Sequence, residues 1–230
     1  MSALGSKRDA VLGALRSRLG RRPGDGGAEA VAARIAGPAR GPIPARSAGD
    51  HAAQVALFVE MAREVAATVV RVPAAEAVPA AVADYLKSEN LPAEIRLAPD
   101  PALRGLPWDG QPLIARSEGP ARPSDPVSLT GAFAGIAETG TLMLTSGRAG
   151  PTTLNFLPET HIAVLRAHDI AGSYEDAWDR LRAARAGAPL PRTVNLITGP
   201  SRTADIEQTI QLGAHGPRRL CILLVDDADS

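Results

Sequence analysis

A chain of 230 residues, 45% hydrophobic but only 3% aromatic, is long enough for one good-sized domain whose core is built from Ala, Val, Leu and Ile. A formal net charge of zero argues against nucleic acid as a main partner. The single cysteine, Cys221, excludes a disulfide within the chain, an all-cysteine iron–sulfur cluster and a cysteine-based zinc site.

The charge is unevenly spread. Met1 to Arg46 holds nine Lys/Arg and three Asp/Glu, leaving sixteen against twenty-two in the remainder, so a basic arm precedes a mildly acidic body. No apolar run approaches the roughly 20 residues of a membrane helix. The basic start also lacks an apolar secretory core, which predicts a cytoplasmic protein without a membrane span.

In chain order, Val11, Ala14, Leu15 and Leu19 predict a helix over Lys7 to Leu19. The Gly/Pro-rich stretches 20–27 and 37–44 read as a tether on either side of a short Ala-rich helix, so residues 1–46 form a flexible basic arm and the domain proper occupies 47–230. His51 to Ala66 carries an unbroken apolar face at Val55, Phe58, Val59, Ala62, Val65 and Ala66 and predicts a helix. Thr68–Val72 follows as a strand, a helix led by Pro79 runs to about Lys87, Glu94–Leu97 is a short strand, and Leu113–Ala115 another. Trp108 reads as a packing residue beneath a loop, and Arg148 as a solvated loop residue or an anion contact. Val127–Thr130 and Gly140–Thr145 are expected as strands joined by a tight Gly-containing connection. Then come a strand at Ile162–Leu165, a helix over Tyr174–Arg185 capped by Ser173, a strand at Val194–Ile197, a helix opening near Ser201, and a last buried strand, Leu220–Val225, holding Cys221. This alternation predicts an α/β fold, a mostly parallel sheet with helices on both faces, plus a helical N-terminal arm.

Two segments tie local structure to chemistry. After Val194–Ile197, Gly199-Pro200 stops the strand, and Ser201 and Thr203 are placed to cap a helix with apolar positions Ile206, Ile210 and Gly213. Such a strand–turn–helix unit aims backbone N–H groups out at the carboxyl end of a sheet, where α/β proteins hold anions, and Arg202 adds a charge for a carboxylate or phosphate. Plain capping, with Arg202 paired to Asp205 or Glu207, reads equally well. The second segment is Ala137-Glu-Thr-Gly-Thr141. Glu138 stands at a turn between strands, Gly140 permits a positive φ, and Thr139 and Thr141 flank it. It reads as a general base or nucleophile with hydroxyl partners, or as a glycine turn with polar strand ends. His51, His161, His168 and His215 include no i,i+4 pair, so no local metal site is predicted. His215, in a Gly-Pro loop before the last strand, can donate to an oxyanion, while His161 directly precedes a strand and reads as a structural residue or a ligand contact.

Four stretches together, Ile136-Ala-Glu-Thr-Gly-Thr-Leu142, Leu157-Pro-Glu-Thr-His-Ile162, Gly199-Pro-Ser-Arg-Thr-Ala-Asp-Ile-Glu207 and Gly213-Ala-His-Gly-Pro217, resemble in kind and order the LutC/YkgG family of lactate utilisation proteins, which carry the LUD domain. The resemblance is strong over Val127 to Asp227 and holds in outline over Asp50 to Leu113. It implies a fold similar to the NagB/RpiA/CoA-transferase-like group. It also implies a bacterial role as accessory subunit in oxidising L-lactate to pyruvate, with iron–sulfur partner proteins carrying the electrons and no cofactor in this chain. A small carboxylate or other anion would lie among Glu138, Thr139, Gly140, Thr141, His161, Gly199, Ser201, Arg202, Thr203, Asp205 and His215. The alternative is a stand-alone enzyme of the CoA-transferase, isomerase or cyclo-ligase kind, with Glu138 as nucleophile or base.

Overall fold

The computed structural model describes residues 3–20, 27–37, 39–203, 211–213 and 215–226. The chain divides into two compact units, Met1–Pro42 and Ile43–Ser230. The first contains α1 (Ala3–Arg18) and α2 (Gly27–Ala36). The stripe of Val11, Leu15 and Leu19 on the first helix and its continuation lies exposed.

The second unit runs α3 (His51–Glu64), β1 (Thr68–Val72), α4 (Val78–Ser88), β2 (Glu94–Leu97), the single turn α5 (Pro101–Arg104), β3 (Ala115–Glu118), β4 (Val127–Gly131), β5 (Ala134–Ile136), β6 (Thr141–Thr145), β7 (Thr160–Arg166), β8 (Ile170–Ala171), α6 (Tyr174–Arg185), β9 (Val194–Ile197), β10 (Arg202–Thr203), β11 (Gln211–Leu212) and β12 (Arg219–Val225). Helix starts follow their caps. Asp50 accepts the Ala53 N–H at 2.8 Å, and Ser173 with Asp176 forms a capping box at α6.

Six parallel strands form the main sheet in the order β1-β12-β7-β4-β2-β3. Both faces are covered, which is why β12 reads as the continuous apolar run Leu220–Val225. Its alternate residues enter opposite cores. Cys221, Leu223 and Val225 pack with Val78, Val82 and Leu86 of α4. Leu220, Ile222 and Leu224 pack with Val55, Phe58 and Ala62 of α3. Each large side chain so buried contributes about 1.5–3 kcal/mol. Burial pushes the Cys221 thiol well above its usual range, as expected of a small hydrophobe. Trp108 is buried, its indole N–H donating to the Leu103 carbonyl at 2.9 Å.

The fold departs from the sequence reading in its second sheet. β8-β5-β6-β9 form a separate four-stranded sheet, antiparallel except between β5 and β8. The predicted direct connection between Val127–Thr130 and Gly140–Thr145 is therefore wrong: β5 intervenes, and β4 and β6 lie in different sheets. This sheet puts Leu142 and Leu144 against the α3 core and Met143 and Ile136 against Ala177 and Leu181 of α6. The strand expected at Leu113–Ala115 begins instead at Ala115, and Leu113 is exposed.

Candidate functional site

The chain leaves β9 at Thr198 and turns at Gly199, whose φ of +73° suits glycine. A Cβ there would come within 2.3 Å of the Val65 carbonyl oxygen at the end of α3. The same carbonyl accepts from Arg202 Nη2 at 3.2 Å, so the turn and the arginine are both seated on the last turn of α3. The helix expected to start near Ser201 does not start there. Arg202–Thr203 is extended and pairs antiparallel with Gln211–Leu212, and Gly213 follows that ribbon in a bend at φ +85°. Residues 204–210, with Asp205, Ile206 and Glu207, lie outside the described residues, as does the side chain of Thr203.

Ser201 is not a helix cap but a clasp. Its N–H donates to the Pro217 carbonyl at 2.8 Å, its carbonyl accepts from the Gly213 N–H at 3.0 Å, and its Oγ accepts from the His215 N–H at 3.3 Å. The clasp holds Gly213 and His215–Pro217 against 198–202, and a cleft of about 440 Å³ opens between them. Arg202 and His215 stand on it with Thr198, Gly199 and Ser201; Val65, Phe156, Leu196, Ile197, Pro200 and Pro217 supply apolar wall. No carboxylate lines it among the described residues. The side chains therefore offer a permanent cation and an imidazole to an anion.

The cleft does not lie at the carboxyl edge of the parallel sheet, where it was expected. Val65 precedes β1, Asn155 and Phe156 precede β7, and His215 to Pro217 precede β12, so the cleft opens beside the amino ends of those strands. The cause is β9, which pairs with β6 in the antiparallel sheet and so adds no carboxyl end to the parallel one.

The Ala137–Thr141 turn joins β5 to β6 and reaches this region through hydroxyls. Thr141 Oγ1 is 2.6 Å from Thr198 Oγ1, 2.7 Å from Thr139 Oγ1 and 3.0 Å from the Tyr174 hydroxyl. Gly140, at φ +64°, passes so close to α3 that a Cβ would lie 2.2 Å from the Ala62 nitrogen. Glu138 turns the other way. Its carboxylate accepts the Tyr174 N–H at 2.9 Å at the start of α6, where a negative charge is favourable; its own N–H donates to Gly172, and Arg46 donates to its carbonyl. It is 7% exposed and does not line the cleft. His161 is fully buried on β7, Nε2 2.7 Å from Thr130 Oγ1, and burial lowers its pKa to about 4. Thus Thr198, Gly199, Ser201, Arg202 and His215 share one cleft, Thr139 and Thr141 connect to it, and Glu138 and His161 stand apart.

Sequence reasoning missed Val65, Phe156 and Leu196 as walls and Tyr174 and Thr198 as members of the hydroxyl cluster. An apolar residue at a strand end or in a loop carries no local sign of what it faces. The repetition of Thr139, Thr141 and Thr198 around two Gly turns was the available signal.

The sequence profile of the LUD domain matches residues 126–225. This segment is a LUD domain. It contains every described residue of the cleft except Val65. An uncharacterised protein of Neisseria meningitidis is 42% identical over 96 residues, 42% of this chain and 40% of that protein. Lactate utilization protein C of Halalkalibacterium halodurans is 32% identical over 124 residues, 52% of each chain. The chain thus spans about half, or less, of the curated relatives it matches. Among solved structures, a DUF162 family protein of Deinococcus radiodurans superposes with a TM-score of 0.57 at 25% identity, covering 77% of this chain and 99% of that one. The matched segment runs from β4 to β12, taking in the small sheet and the cleft; β1–β3 and their helices lie outside the match.

Proposed function

We propose that this chain is a non-redox accessory subunit of a bacterial L-lactate-oxidising system, acting in the cytoplasm with iron–sulfur partner proteins that carry the electrons to convert L-lactate to pyruvate. In this reading the Arg202–His215 cleft binds a carboxylate or other small anion. The supporting observation is the cleft itself, which lies within the LUD segment but for Val65 and presents Arg202 and His215 with no opposing acid among the described residues. The similarity to lactate utilization protein C supports the pathway. With one cysteine, itself buried, the chain has too few thiolates for a cysteine-ligated cluster, so electron transfer falls to the partners.

A stand-alone transferase or isomerase with Glu138 as nucleophile has less support, because that carboxylate is buried and engaged at the N-terminus of α6. The test is growth of a deletion strain on L-lactate as sole carbon source. Complementation by the wild-type chain and failure by Arg202→Ala at equal protein level is expected. Normal growth of the deletion strain would remove the pathway assignment, and full rescue by Arg202→Ala would remove the cleft from it.

A further inference from the structure

The cleft is larger and more apolar than a three-carbon hydroxy acid requires. At about 440 Å³ it falls in the 300–1,000 Å³ class that takes drug-sized ligands, so lactate, with six heavy atoms, would leave most of it to water. Its apolar walls are also unusually open. The chain has three phenylalanines, and one of them, Phe156, stands 40% exposed on this wall. Leu196 beside it is 42% exposed.

Leu196 lies on β9, the edge strand of the small sheet. The strand turns Asn195 inward, 9% exposed with its Nδ2 lacking a partner among the described residues, and turns Leu196 outward into the cleft. Val194 and Ile197 on either side keep this register, packing against the α6 and α3 cores. A register that hides a polar group and exposes an apolar one runs against folding stability, and such conflicts concentrate at functional sites.

We infer that the cleft takes an amphipathic monocarboxylate, its carboxylate at Arg202 and His215 and its acyl or aryl body along Leu196 and Phe156. The inference rests on the anion-binding reading of this cleft given above and sharpens it. Lactate would then be a truncated ligand that engages the head of the site and leaves the walls wet.

The test is a calorimetric series on the purified full chain at one pH and ionic strength, titrating L-lactate, butyrate, hexanoate, octanoate and 3-phenyllactate. Each methylene buried along the walls should lower Kd by about two- to four-fold, and 3-phenyllactate should bind at least about ten-fold tighter than lactate. Leu196→Ser combined with Phe156→Ser should flatten the series, abolishing the gain per methylene. Neither side chain belongs to the buried core, so the double variant is expected to fold, and its circular dichroism and melting curve check this directly. A flat series in the wild type, with lactate as tight as octanoate and Arg202→Ala weakening all alike, overturns the inference and leaves the anion site standing. Absence of binding by every carboxylate overturns both.

Discussion

Thr141 Oγ1 lies 2.6 Å from Thr198 Oγ1, and this contact ties the turn after β5 to the rim of the cleft across 57 positions of sequence. Thr141 is fully buried and also touches the Thr139 and Tyr174 hydroxyls. Thr141→Val keeps the shape and leaves those hydroxyls one partner short. The expected loss is about 1–3 kcal/mol in urea denaturation, with weaker carboxylate binding because Thr198 loses its brace. Unchanged stability and affinity would show that the cluster carries neither load.

Glu138 is expected to act on α6, not on a ligand. Glu138→Ala removes the acceptor of the Tyr174 N–H and a negative charge from the helix start, at a cost of about 0.5–2 kcal/mol. Carboxylate affinity should stay within about two-fold of wild type, a difference near 0.4 kcal/mol. A Glu138→Gln protein of normal stability that loses binding or a catalytic turnover would put the carboxylate back into the site.

Gly199→Ala should damage both fold and cleft. The substitution meets a positive φ and a carbonyl oxygen 2.3 Å away at the end of α3, so the turn must move. Strain of this kind costs about 1–3 kcal/mol before any clash is relieved. A lowered melting temperature together with reduced anion affinity is the expected pair of observations.

The helices and the outline of the parallel sheet were legible in the sequence because their signals are local. Val55, Phe58, Val59 and Ala62 repeat at helical spacing and all four are buried. β1 and β2 run over Thr68–Val72 and Glu94–Leu97, as their β-branched and apolar residues predict. The second sheet was not legible, since four residues such as Val194–Ile197 carry no information about which strand they will pair with. The ribbon of Arg202–Thr203 with Gln211–Leu212 was hidden for a related reason: Ser201 and Thr203 look like helix caps, and only the distant Pro217 and Gly213 make Ser201 a clasp. Of the candidate site, Gly199, Ser201, Arg202 and His215 came from turn chemistry and charge. The walls did not, because burial and exposure of Leu196 are set by a register that the local sequence leaves open.

His161 gives the fold a pH dependence of known sign. Its folded pKa of about 4 lies below the ordinary 6.5, so as pH falls between these values the unfolded chain takes up a proton that the fold refuses. Its contribution is complete above about pH 6.5 and is lost towards pH 4, by up to about 3 kcal/mol. Urea denaturation at pH 7 and pH 5 should show a smaller acid loss in His161→Gln, which retains a partner for Thr130, than in the wild type. Equal acid losses would mean that His161 does not titrate with folding.

The central claim, a carboxylate held by Arg202, is tested most directly by titrating hexanoate into the wild-type protein and Arg202→Ala in a calorimeter. Arg202 is exposed and donates to the Val65 backbone carbonyl, so the variant should fold with a stability change of no more than about 1 kcal/mol. The account predicts saturable 1:1 binding by the wild type and a loss of about 1.5–3 kcal/mol, or about ten- to 150-fold in Kd, in the variant. Equal affinity in the two proteins would contradict it.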